Sequence, residues 1–64
     1  SKEAIKETEA AISRVVSGEK RVELIAQPPY VRRLQHGLAA RNNLGSASTG
    51  REPSRRVVIR RRKR

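Results

Sequence analysis

Arg32 and His36 stand four residues apart in the stretch Pro29-Tyr30-Val31-Arg32-Arg33-Leu34-Gln35-His36, and the chain closes on Arg60-Arg61-Arg62-Lys63-Arg64. A guanidinium is a permanent cation with a planar fork of donors, and an imidazole donates one hydrogen bond when neutral and two when charged. On a helix, a four-residue step advances about 400°, so the two groups project the same way. Ordered donors on one face, backed by a run of cations, are the chemistry of a phosphate-binding surface. With an ordinary pKa of about 6.5, His36 is expected to be mostly neutral at pH 7. A nearby phosphate favours its charged form, so mild acidity is expected to tighten binding.

Catalytic chemistry finds few candidates. The chain has no Cys, no Asp and one His, which excludes a Ser-His-Asp array and a Cys/His zinc site. Glu3 and Glu7 lie four apart in the first segment and read as surface charge. Gly45 and Gly50 have the spacing of a phosphate-binding P-loop, but Arg51-Glu52 stands where Lys and then Ser or Thr are required. No enzyme, cofactor or metal is expected.

Charge is unevenly placed along the 64 residues. The first twenty hold four cationic and four acidic side chains, whereas residues 21–64 hold twelve cations against Glu23 and Glu52, which accounts for the whole net charge of +10. Eleven of those twelve are Arg, the cation whose geometry suits phosphate. The first segment therefore reads as scaffold and the rest as ligand surface.

The elements that must position these groups follow from periodicity. Ser1 is a candidate N-cap for a helix with Ala4, Ile5, Thr8, Ala11, Ile12, Val15 and Val16 on one stripe, stopped at Ser17-Gly18. Residues 21–26 alternate as a short strand with Val22, Leu24 and Ala26 inward. After Gln27-Pro28-Pro29, residues 30–41 form a second helix whose apolar stripe of Tyr30, Val31, Leu34 and Leu38 is expected to face the core, fading at Asn42-Asn43. Residues 44–49 and 55–60 complete a β-hairpin around Gly50-Arg51-Glu52-Pro53. The order αβαββ predicts a two-layer α+β domain, a three-stranded sheet with both helices on one face. The domain is expected over residues 1–60, with a basic, disordered tail at 61–64.

With that order fixed, the chain resembles the R-three-H domain, named for an Arg-x-x-x-His pair, and within it the bacterial Jag-type proteins that carry a KH domain before it. The resemblance rests on Pro29, Tyr30, Arg32, Arg33 and His36, followed by Ser48, Gly50, Pro53, Arg55, Arg56, Val57, Val58 and Ile59. It implies binding of single-stranded RNA or DNA and places Arg32 and His36 at the ligand. Arg33, Arg55 and Arg56, with Arg60, Arg61 and Arg62, are added on charge. RNA is favoured through the Jag-type likeness alone.

Tyr30 is the only aromatic residue, so successive stacking platforms are excluded and sequence discrimination is expected to be weak. At the start of a helix, Tyr30 is expected in the core. A chain of this size without Cys, Met or an apolar run long enough for a bilayer is expected to be a cytoplasmic module of a longer polypeptide, whose other domains are further partners. The alternative is an interaction module that docks on a protein or an acidic membrane surface, with Arg32 and His36 structural.

Overall fold

Helix α1, Lys2–Val16, forms because its small and branched apolar residues recur every three or four positions, and it buries Ala4, Thr8, Ala11, Ile12 and Val15. It ends where the sequence predicts. Gly18 takes φ +129°, and the Gly18 and Glu19 amides donate back to the Val15 and Arg14 carbonyls at 3.1 and 3.0 Å. That pairing is the Schellman closure, and it satisfies carbonyls the helix leaves open. The computed structural model describes residues 2–62, so the capping role of Ser1 and the tail residues Lys63 and Arg64 lie outside the described residues.

Strand β1 is short, Arg21–Glu23. The Leu24 amide still reaches Val57 O at 2.8 Å, but the Ile25 amide turns away and donates to Glu7 Oε2 on α1 at 2.8 Å. This shortens the strand expected over 21–26. It also corrects the reading of Glu7 as surface charge: the carboxylate is half-buried and anchors the β1–α2 connection.

Helix α2, Pro29–Arg41, starts on Pro28 and Pro29, where the absent amide hydrogens cost nothing. It closes on a second Schellman turn, with Asn43 at φ +60° and the Leu44 amide on Ala39 O at 3.0 Å. Strands β2, Gly45–Thr49, and β3, Arg56–Arg60, pair antiparallel with Ser46 opposite Ile59 and Ser48 opposite Val57. On its other side β3 pairs with β1, giving the antiparallel order β1-β3-β2.

Helix α1 packs on β1 and β3, and α2 on β2 and β3, so both helices cover one face. The core between them contains Ala11, Ile12, Val15, Val22, Leu24, Ala39, Val57 and Ile59. This is the α+β architecture with the order αβαββ that periodicity predicts. Among the described residues no helix is long and apolar enough to cross a membrane.

The inward face of α2 differs from the expected stripe. Val31, Arg32, Gln35 and Ala39 are buried, whereas Tyr30 is 68% and Leu34 38% exposed. The helix is thus rotated towards β2, because polar groups on that side have partners. Gln35, fully buried, donates from Nε2 to Thr8 Oγ1 at 3.1 Å, and Thr8 donates to Ala4 O at 2.6 Å. Its Oε1, however, is buried without a partner among the described residues. A buried unsatisfied acceptor costs about 1–3 kcal/mol, so Gln35→Met, which keeps length and volume, is expected to raise stability by about 1 kcal/mol in urea denaturation. A loss of stability would show that the amide contributes more than its orphaned oxygen costs.

Candidate nucleic-acid interface

Pro28 and Pro29 fix where α2 begins, and that start sets the azimuth of Arg32 and His36 about one and two turns later. Arg32 is only 8% exposed. Its Nη1 donates to the Gln27 carbonyl at 2.6 Å and its Nη2 to Glu52 Oε2 at 2.8 Å, an ion pair whose carboxylate end is half-exposed. The guanidinium therefore binds two loops of its own fold, the β1–α2 connection and the β2–β3 connection.

His36 is half-buried against the edge strand. Nδ1 lies 2.7 Å from Ser46 Oγ and Nε2 lies 2.9 Å from Ser48 Oγ. A neutral ring donates to one hydroxyl and accepts from the other, so the imidazole fastens β2 to α2. Burial, and then the Arg32 charge one turn away, push its pKa below the ordinary value. The pair does share a face, as its spacing predicts. That face is turned inward, to the sheet edge and the loops.

The remaining expected cations do not form one cluster with this pair. Arg33 is exposed on the outer side of α2, where it lines a groove against α1. Arg55 is half-buried at the hairpin and donates to Gly50 O at 2.7 Å. Arg61 donates to Gly18 O at 2.6 Å, and Arg62 donates to Asn43 Oδ1 at 2.9 Å, on the connections that follow each helix. Arg56 and Arg60 belong elsewhere again.

Strand alternation explains where. Val22, Val57 and Ile59 point to the helices, so Arg21, Glu23, Arg56, Val58 and Arg60 share the uncovered face of the sheet. Arg56 is ion-paired with Glu23, whose carboxyl is held below its usual pKa by the hydrogen bond from Arg56. Arg21 and Arg60 are direct cross-strand neighbours, both exposed, and neither has a carboxylate in ion-pair range among the described residues. Like charges placed opposite one another destabilise a sheet. Arg21 was missing from the sequence-predicted set, although its position before Val22 in the alternating segment already placed it on the outer face.

Tyr30 is corrected from core to surface, as a single exposed ring at the start of α2. Val58 is 6% exposed although it lies on the face that no helix covers. Among the described residues there is no group of His, Cys, Asp and Glu that could hold a metal ion.

Against known families, residues 3–61 match the R-three-H domain, a family of nucleic-acid-binding rather than catalytic domains, generally directed to single strands. Comparison with curated proteins and with solved structures gives no match.

The depressed histidine has a defined consequence for stability. Below about pH 6.5 the unfolded chain binds a proton that the folded ring resists, so stability is complete above that pH and decreases as pH falls towards the lower folded value. Between about pH 7.5 and pH 5 the melting temperature of the parent is expected to fall more than that of His36→Gln, which cannot titrate. Carboxylate losses lie at lower pH and affect both proteins. Equal falls would contradict the burial of the ring. Arg32→Lys keeps the charge but not the fork, and is expected to cost about 1–2 kcal/mol in denaturant unfolding.

Proposed function

Since the chain belongs to the R-three-H domain family, we propose that it binds single-stranded nucleic acid through the phosphate backbone, using the uncovered sheet face rather than the Arg-x-x-x-His pair as the primary contact. The observation that carries this reading is the Arg21–Arg60 cross-strand pair. Two exposed guanidiniums, neither ion-paired among the described residues although Glu23 lies close enough to Arg21 to feel its charge, repel one another in the free domain, and a polyanion removes that cost while releasing its own counterions. Arg56 adds a third cation on the same face, and Arg61 and Arg62 extend the strand's charge past its end with donors to spare.

Arg32 and His36 are positioning residues in this reading. Arg32 fixes the hairpin connection through Glu52, and His36 fixes β2, so together they hold β3 and its arginines in register. Arg55 steadies the same hairpin through Gly50 O. Discrimination between sequences is weak, because the sheet face offers guanidiniums and small side chains but no aromatic ring. The preference for RNA over DNA belongs to the proposal and rests on the motif blocks shared with the Jag-type proteins. A cytoplasmic setting and further domains in the same polypeptide are part of it too.

Fluorescence anisotropy with matched single-stranded RNA, single-stranded DNA and duplex DNA at several salt concentrations tests this. Each lost phosphate contact flattens the log-log salt slope by about 0.7 for a single strand, so the double variant Arg21→Gln with Arg60→Gln is expected to flatten it by about 1.4 and to weaken all sequences alike. RNA is expected to bind tightest and the duplex weakest. An unchanged slope would remove the sheet face from the interface, and stronger duplex binding would contradict the choice of ligand.

A further inference from the structure

On the far side of the molecule from the sheet face, the seam between α1 and α2 is an open groove. Its floor is Ile5, Leu34, Gly37 and Leu38, and its α2 rim carries Arg33 and Arg41. Leu38 also lines a second depression, where Ile12 and Val16 are joined by the polar Glu9, Ser13 and Asn42. Leu34 is 38% and Val16 66% exposed, a large apolar exposure for a domain of this size.

Gly37 gives the groove its shape. Glycine in a helix interior is disfavoured relative to alanine because the unfolded chain loses more freedom there. Nothing inside the domain requires it: its φ is not positive, and a Cβ built at Gly37 would meet no atom within 4 Å. The space above Gly37 is open.

The side chains of Arg33 and Arg41 make no hydrogen bond or ion pair among the described residues. Eight helical residues separate them by about 12 Å, with the apolar floor in between. A partner helix presents that complement when carboxylates seven or eight residues apart bracket an apolar pair at the third and fourth positions, since those positions share one face. The floor is aliphatic and has no ring on which a base could stack, which favours a protein helix over nucleic acid. We propose that this seam is a docking groove for an acidic amphipathic helix of a partner protein, with Arg33 and Arg41 as its charge clamps and Gly37 as the vacancy that admits the partner's apolar side chain.

The groove is separate from the proposed nucleic-acid surface, so the two stand or fall apart. A panel of synthetic N-acetylated peptides with Glu at the bracketing positions, in both spacings, and Leu at the apolar positions is titrated into the whole chain by calorimetry. Saturable binding is expected for the Glu/Leu peptides, and none for versions with Lys in place of Glu or Ser in place of Leu. Gly37→Gln, which fills the floor while favouring the helix, and Arg41→Glu are each expected to weaken binding at least about tenfold, with melting temperatures held or raised for Gly37→Gln. Absence of binding by every Glu/Leu peptide, equal affinity in both variants, equal binding by the Ser versions, or displacement by a single-stranded oligonucleotide would each overturn the proposal.

Discussion

The guanidinium of Arg32 joins three parts of the chain: its own helix, the Gln27 carbonyl five residues before it, and Glu52 twenty residues on in the β2–β3 connection. A charge this buried survives only when its donors are satisfied, and here a carbonyl and a carboxylate satisfy two of them. The consequence is geometric. With the hairpin connection held at Glu52 and the edge strand held by His36 between Ser46 and Ser48, the register that sets Ser48 against Val57 and Ser46 against Ile59 is fixed from both ends. A slip of one residue would turn Arg56 and Arg60 into the core and Val57 and Ile59 out of it.

That register is what makes the uncovered face electropositive. Two helices and their small core screen one side of the sheet and leave Arg21, Arg56 and Arg60 on the other, with Glu23 as the only acidic side chain among the strand residues of that face. On the proposed reading, the Arg-x-x-x-His pair, bonded to Gln27, Glu52, Ser46 and Ser48, positions the scaffold, and the exposed arginines offer the charge to the ligand. The pair's inward orientation also explains why burial lowers the histidine's pKa, where contact with a phosphate would raise it.

Much of this arrangement was legible in the residues themselves. The three-and-four spacing of α1, the Gly18 stop, the prolines before α2 and the branched centre of β3 gave the order of elements and the layer arrangement, because each of those signals is local. The azimuth of α2 was not. Hydropathy assigns Tyr30 and Leu34 inward and Arg32 and Gln35 outward, and the reverse holds because Thr8, Gln27, Glu52, Ser46 and Ser48 supply polar partners from elsewhere in the chain. Hydropathy does not register such partners, and two of them are distant, Glu52 lying twenty residues from Arg32 and Thr8 twenty-seven from Gln35. Glu7 eluded the reading for the same reason, since its partner is the Ile25 amide eighteen residues on. Arg21, by contrast, is legible from strand alternation alone, since it precedes the inward Val22 and lies outside the motif blocks.

Backbone amide shifts recorded during titration with a short single-stranded RNA report which face of the domain the ligand touches. Binding on the sheet face is expected to give the first and largest changes at Arg21, Glu23, Arg56, Val58 and Arg60, with the Ser46 and Ser48 region following only weakly. Changes concentrated at Arg32, Arg33 and His36, with the sheet residues unmoved, would return the Arg-x-x-x-His pair to the ligand and contradict the division of labour described above.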